Sequence, residues 1–394
     1  MLRLHSSLKR IFVILVIAGL VFSLTSCRSN VNQPNLNAVN TPNDITLADQ
    51  LTSPGVGASS SPTPTLTPGA TNTPPPPVWY WLYFSEPTLN GKASIINPPI
   101  LAALLQAIDG ANRTLDIATT EINLTQISNA ILRAAKRGVN VRLVVDSEAV
   151  KGDQPIIDLI NGGIPLVPDE RDPIMHNKFM VVDNDYVWTG SYNFTFNDTY
   201  RNNNNAIYIH SPELAKNYTA EFDEMFVQKQ FGSGSPANTI LPEIEIESTR
   251  IETCFAPEDH CSGKLIDLIN SSRSSIRFMA FSFTDNAIGR AMAERSRASV
   301  QVSGVFETRD SDTEYCEYAY LKQNKTDVLL DGNKYNMHHK VFIIDDKTVV
   351  TGSYNFTNNA DNFNDENLLI IHSPDLAALF AEEFKRVYAQ AKNQ

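Results

Sequence analysis

The chain has 394 residues, 42% of them hydrophobic, and carries 32 basic against 44 acidic residues, a formal net charge of -12. That balance gives no overall basic field of the kind a non-specific nucleic-acid binder shows, although a local basic cleft stays compatible with it. Beyond Cys27 the cysteines are Cys254, Cys261 and Cys316, which lack the clustered spacing of a zinc site.

Lys9-Arg10 precedes an apolar run over 11–24, which ends in Leu24-Thr25-Ser26-Cys27. A basic start, a short apolar stretch and small residues before a cut predict an export signal. Its apolar core of about 14 residues is short for a bilayer span. Leu-Thr-Ser-Cys resembles the bacterial lipoprotein processing box, which implies cleavage before Cys27 and lipid on its sulfur. A plain signal peptide and a short membrane anchor are the alternatives; all three readings place the rest of the chain outside the cytoplasm. Loss of 1–27 removes Arg3, Lys9 and Arg10 and leaves 29 basic against 44 acidic residues. Residues 28–77 are rich in Asn, Pro, Ser and Thr. They lack the apolar periodicity that would offset ordering entropy, and predict a flexible or partly extended tether.

Roughly 315 residues remain, enough for two lobes with substantial cores. In the first lobe, 78–230, a strand over 78–84 is followed by a helix over 100–108. Strands over 114–119 and 139–145 flank a helix over 126–137 that Gly138 stops. A short helix over 155–160 ends at Asn161-Gly162-Gly163. Phe231-Gly232-Ser233-Gly234-Ser235-Pro236 opens a connector over 231–247. The second lobe, 248–394, repeats the order, with helices over 264–270, 286–295 and 314–322 and strands over 275–281 and 300–306. Each lobe closes with a helix after Ser211-Pro212 or Ser373-Pro374, where proline suits the first turn. This alternation predicts a layered α/β fold. An exported compartment permits disulfides. Cys254 and Cys261 enclose a short polar segment and form the natural first pair; Cys316 is able to replace either, and one of the three stays outside any intrachain bridge.

The chain uses one motif twice. His176-Asn177-Lys178 is followed by Asp183 and then Gly190-Ser191-Tyr192-Asn193; His338-His339-Lys340 is followed by Asp345 and then Gly352-Ser353-Tyr354-Asn355. The offset is 162 at every one of these positions, and still 162 between His210-Ser211-Pro212 and His372-Ser373-Pro374. A lone His-x-Lys is ordinary surface decoration and a lone Gly-Ser-x-Asn an ordinary turn, but their ordered duplication points to one site made from two halves. In a strand, His176 and Lys178 share a face, as do His338 and Lys340. Met180 and Val182 continue that face, so the strand is expected to bend or end soon after Lys178. Asp183 and Asp345 are expected to fix the following turn rather than to act in catalysis.

Cleavage of a phosphodiester needs a nucleophile, an acid for the leaving oxygen and positive groups around the phosphoryl oxygens. Histidine supplies the first two near neutral pH. Lys178 and Lys340 neutralise developing charge, Asn193 and Asn355 donate amide hydrogen bonds, and Ser191 and Ser353 are candidate further phosphate donors. The arrangement calls for no metal or other cofactor. His339 should point away from His338 and pack. His210 and His372 are expected to make structural hydrogen bonds. The Asn202-Asn203-Asn204-Asn205 run reads most simply as a solvent-exposed turn, with polar substrate contacts as the alternative. Glu121, Phe281 and Phe283 lie beyond strand ends, where ligands collect in layered α/β folds; at least one phenylalanine is expected in the core.

The duplicated motifs resemble the phospholipase D superfamily over roughly 95–390. The resemblance implies two similar α/β/α sandwich lobes with one site along their pseudo-two-fold interface. It also implies a covalent phosphohistidine. By family convention His176 is then the nucleophile and His338 the acid/base. A carboxylate near position 366 in relatives holds an active-site histidine, which makes Glu366 a candidate. Its counterpart in the first copy is Asn204, with Asp198 as a possible substitute; the histidine that Glu366 meets is left open. The preferred reading is a lipid-tethered phosphodiesterase acting on phospholipid, held at the membrane through its N-terminal lipid and monomeric because one chain holds both half-sites. A non-specific endonuclease acting on nucleic acid is the alternative within the superfamily. A non-catalytic tethered binding protein is the third reading, and the intact His, Lys and Asn of both copies argue against it.

Overall fold

The computed structural model describes residues 78–87, 97–309, 311 and 313–393. The signal 1–27, with Cys27, and the tether 28–77 lie outside the described residues. Among the described residues no helix is long and apolar enough to cross a membrane.

The first lobe is built on strands β1 (Tyr80–Phe84), β2 (Thr114–Thr119), β3 (Asn140–Val145), β4 (Leu166–Pro168), β5 (Lys178–Val182), β6 (Tyr186–Gly190) and β7 (Asn205–His210). They form a mixed sheet in the order β1-β7-β6-β5-β2-β3-β4. The second lobe has β8 (Glu243–Ile246), β9 (Thr249–Ala256), β10 (Ser275–Ala280), β11 (Gln301–Phe306), β12 (Asp327–Leu330), β13 (Lys340–Ile344), β14 (Thr348–Gly352) and β15 (Glu366–His372), in the order β12-β11-β10-β13-β14-β15-β9-β8. Removing β8 leaves the first order repeated strand for strand. The two sheets are therefore a structural duplication, as the constant 162-residue offset requires.

Both sheets are covered on both faces, so their central strands are apolar throughout. In β5, Phe179 and Val181 face a core shared by the two lobes, while Met180 and Val182 face the outer core of the first lobe. In β13, Val341 and Ile343 enter the shared core and Phe342 and Ile344 the outer core of the second lobe. Between the sheets lie the helices Pro212–Asp223 and Pro374–Lys392, contributing Leu214, Tyr218 and Phe222, and Leu376, Phe380 and Phe384. Ser211 and Ser373 cap them by accepting from the Leu214 and Leu376 amides at 3.1 and 3.3 Å, with proline next in line. The shared core is what holds the two halves as one body.

Several sequence expectations need correction. The strand carrying the motif begins at Lys178, so His176 and Asn177 precede it instead of a bend following the lysine. The connector 231–247 is not all linker, because Glu243–Ile246 pairs antiparallel with β9 at the sheet edge. Three short helices, Ser147–Gly152, Phe196–Tyr200 and Asn358–Asn362, were not legible. The last two follow the Gly-Ser-x-Asn segments and are capped by Thr195 and Thr357. Cys254 and Cys261 form a disulfide with Cα atoms 5.8 Å apart, and the Cys316 thiol lies 3.6 Å from Ser311 Oγ.

Candidate active site

Two crossed main-chain bridges build the site. Met175 pairs with Asp365 and Asn203 with Met337, each bridge joining one lobe to the other. The amide of His176 donates to the Asp365 carbonyl, and the amide of His338 donates to the Asn203 carbonyl, both at 2.9 Å. Each histidine is thus held by the lobe to which it does not belong. The bridges set Glu366 beside His176 and Asn204 beside His338.

His176 Nδ1 donates to Glu366 Oε2 at 2.7 Å. His338 Nδ1 instead faces neutral acceptors, Asn204 Oδ1 at 3.0 Å and the Ser191 carbonyl at 3.1 Å. Asp198 Oδ2 stands farther off, 3.6 Å from the same nitrogen. With each Nδ1 so engaged, Nε2 is the ring nitrogen left for chemistry. The histidines are 7% and 6% exposed. Burial lowers the His176 pKa to about 4, against a raising pull from Glu366 and with Lys178 and Lys340 adding to the drop. Burial likewise drives His338 well below the ordinary value, helped by Lys340, Lys178 and His176. The crossed bridges bring the two His-x-Lys segments to the same junction of the lobes.

Lys178 sits opposite Thr119 in β2, and Lys340 opposite Ala280 in β10, at the carboxyl ends of those central strands. Lys178 Nζ donates to Thr120 Oγ1 at 3.1 Å and to the His176 carbonyl at 2.9 Å; Lys340 Nζ donates to the His338 carbonyl at 2.9 Å. Burial brings Lys178 down to about 8, partly offset by Glu366, Asp198 and Glu121. Lys340 is held well below the ordinary range by burial and then by Lys178. An anion between the lysines relieves both the burial cost and the repulsion. Asn193 and Asn355 have buried side-chain oxygens without hydrogen-bond partners, the same feature at both pseudo-equivalent places.

The serines serve another purpose than phosphate binding. Ser191 Oγ donates to Asn204 Oδ1 at 2.9 Å and accepts from the Asn205 amide. Ser353 Oγ donates to Glu366 Oε2 at 2.8 Å and accepts from the Asn367 amide. Both are fully buried and orient the residues that hold the histidines. The preceding glycines, Gly190 at φ 144° and Gly352 at φ 147°, let the chain press against the Asn205 and Asn367 carbonyls; a Cβ there meets those oxygens. Asp183 accepts from the amides of Asn112, Arg113 and Thr114, and Asp345 from those of Arg273, Ser274 and Ser275. They clasp the loops entering β2 and β10, away from the reacting atoms.

The asparagine run is neither an exposed turn nor a set of demonstrated substrate contacts. Asn202 to Asn205 are 6, 0, 0 and 0% exposed. Asn202 accepts from the Asn336 amide, Asn203 from Asn333, and Asn205 accepts from Thr351 Oγ1. A layer beneath the histidines completes the junction. Asn367 Nδ2 donates to Asn177 Oδ1 at 2.8 Å, and Asn205 Nδ2 donates to His339 Nδ1 at 3.0 Å. His339 Nε2 donates to Glu383 at 2.9 Å, so this histidine is packed and neutral. His372 bridges Glu252 and Thr348, while His210 stacks on Tyr186. Sequence reading put Asn205 in an exposed turn and missed Asn367 and Glu383; residues following the duplicated positions were the available signal.

Phe283 is core, but Phe281 is half-buried, its ring 4.5 Å from His338 and 4.6 Å from Lys340 Nζ. Glu121, pushed up to about 7 by burial and then by Asp198, senses Lys178 on the other side. The site therefore has two buried imidazoles backed by different partners, two lysines and two amides. That set can transfer a phosphoryl group through one histidine while the other moves a proton.

Comparison with known proteins gives the same assignment. The family described as "Cardiolipin synthase, PLD-like domain" matches residues 104–226 and again 265–388. A phospholipase D of Rickettsia bellii is 31% identical over 140 residues, covering 36% of this chain and 70% of that protein. A mitochondrial cardiolipin hydrolase of Chlamydomonas reinhardtii is 30% identical over 130 residues, covering 33% of this chain and 58% of its own. The crystal structure of a phosphatidylserine synthase from Haemophilus influenzae shares the fold, with a TM-score of 0.58 and 13% identity over 74% of this chain and 84% of that one. Matched in both halves, this chain belongs to the phospholipase D superfamily and is a phosphodiesterase whose two half-sites lie in a single polypeptide.

Proposed function

We propose that the protein hydrolyses phospholipid phosphodiesters through a phosphohistidine on His176. The unequal backing of the two histidines carries the assignment. Attack by His176 Nε2 forms a P–N bond and leaves the ring positive, and the Glu366 carboxylate at Nδ1 offsets that charge. His338 has only neutral acceptors in hydrogen-bond contact, so its protonated form is the stronger acid and gives its proton to the departing alkoxide as the P–O bond breaks. His338 then takes a proton from water, which attacks phosphorus; the P–N bond breaks and His176 is regenerated. Lys178, Lys340, Asn193 and Asn355 stabilise the phosphoryl oxygens.

The lipid reading is supported by the half-buried Phe281 ring beside His338, by the acidic balance of the chain, and by relatives named phospholipase D and cardiolipin hydrolase. Attachment through Cys27 would keep the enzyme beside such a substrate, and Cys27→Ser should move it from the membrane to the soluble fraction. The deciding assay offers phosphatidylcholine vesicles, single-stranded DNA and double-stranded DNA side by side, in one buffer containing calcium chloride. Choline release without DNA cleavage is expected; DNA cleavage with intact lipid overturns the substrate assignment. An acid-labile phosphoenzyme should be trapped when wild-type enzyme is denatured during turnover and be absent from His176→Ala.

A further inference from the structure

The two central helices end in opposite charge. Glu221-Phe222-Asp223-Glu224 in the first lobe corresponds, at the constant offset, to Glu383-Phe384-Lys385-Arg386 in the second. In the second lobe Glu383 is answered by Arg386 at 2.6 and 2.7 Å and by His339 at 2.9 Å. Those hydrogen bonds hold its carboxyl below the ordinary range despite burial. In the first lobe the place of Arg386 is taken by Glu224 and that of His339 by Asn177. The arginine cation and the imidazole donor are both gone and an acid is added.

A third carboxylate joins them from the other lobe. Oxygens of Glu221, Glu224 and Glu258 lie within 4.8 Å of one another. Glu221 and Glu224 are 5% and 1% exposed. Asn177 donates to Glu221 at 3.3 Å and Asn238 to Glu224 Oε2 at 3.2 Å. Glu224 Oε1 is buried with no hydrogen-bond partner, and so is the Ser235 hydroxyl. Buried carboxylates without a counter-charge are among the costliest arrangements in a protein.

We propose that Glu221, Glu224 and Glu258 bind one hard divalent cation of the calcium type at the junction of the lobes. An all-oxygen, strongly anionic set suits such an ion rather than a thiolate- or imidazole-seeking metal. The ion takes the place that the Arg386 guanidinium and the His339 ring fill in the second lobe. The role is structural. Glu221 holds Asn177, the neighbour of His176, so the ion ties the nucleophile's loop to both halves.

The test uses the chelator-treated full chain, titrated with calcium chloride by calorimetry and melted with and without the ion. One ion should bind per chain and raise the melting temperature by about 5 °C at saturation. Glu224→Gln should weaken binding at least about tenfold, as loss of a coordinating carboxylate does. Glu224→Arg, which restores the charge of the second lobe, should abolish binding and make the melting temperature independent of calcium. Wild-type protein that shows neither heat nor a melting shift overturns the proposal, and so does Glu224→Gln with wild-type affinity. Neither readout depends on which phosphodiester the enzyme cleaves.

Discussion

His176 and Glu366 meet at 2.7 Å although 190 residues separate them in the chain. Their pseudo-equivalents, His338 and Asn204, meet at 3.0 Å with an amide in place of the carboxylate. Glu366→Gln should therefore cost about 100-fold in kcat, as loss of a carboxylate backing a reactive imidazole does. Ser353 can keep its hydrogen bond to the amide, so the melting temperature should stay within a few degrees of wild type. Turnover equal to wild type would remove Glu366 from the mechanism.

The pH profile follows from His338. In the free enzyme burial and the neighbouring cations hold its pKa well below 6.5. Its acid form is therefore lost as pH rises, and kcat/KM should have its optimum on the acid side of neutrality. A bound phosphodiester anion favours imidazolium, so the alkaline limb of kcat should lie at higher pH than that of kcat/KM. Profiles between pH 4 and 9 check this; an alkaline limb of kcat/KM above neutrality would sink the acid assignment.

Asn204→Asp tests the same residue by addition. A carboxylate at Nδ1 raises the pKa of His338, so the alkaline limb should move up by about one unit while the acid itself becomes weaker. The expected result is a broader optimum with lower maximal turnover. An unmoved limb would mean that another group controls it.

Asp345 carries a stability prediction. Burial pushes its carboxyl up, but amides of Ser275, Ser274 and Arg273 win and bring it to about 2. A depressed carboxylate contributes stability above its unfolded pKa of about 3.9, and that contribution is lost as pH falls toward the folded value. Asp345→Asn should destabilise the protein by about 1 kcal/mol at neutral pH, allowing for solvent screening. It should also flatten the loss of stability between about pH 4 and 2. Urea unfolding across that range is the measurement.

Gly352→Ala should be severe for its size. The residue sits at φ 147° and its new Cβ would press on the Asn367 carbonyl in the neighbouring strand. A loss of about 2–4 kcal/mol is expected from strain and displacement of the Ser353–Glu366 contact. Thermal melting reads the first effect, and turnover under conditions where the variant is fully folded reads the second.

What the sequence revealed was local or periodic. The span of β2 and the helix starts after Ser211 and Ser373 follow from patterning and proline placement, whereas the Asp183 and Asp345 side chains, expected to fix their own turns, reach loops at 112–114 and 273–275 instead. The repeat exposed the duplication. Partners across the interface were illegible, because local composition does not say what the other lobe supplies. Four asparagines in a row look like a wet turn until Asn336, Asn333 and Thr351 arrive from 130 or more residues away. The roles of Ser191 and Ser353 were misread for the same reason. The Glu243–Ile246 strand was hidden in a segment whose glycines and serines suggested a linker.

The crossed bridges at Met175–Asp365 and Asn203–Met337 mean that neither half can be whole without its sibling. Once Glu366 and Asn204 had diverged, the sibling halves also ceased to be interchangeable. One imidazole now leans on a carboxylate and the other on an amide, so the two ends of the cavity differ in charge. Duplication made the cavity; divergence made its two ends unlike.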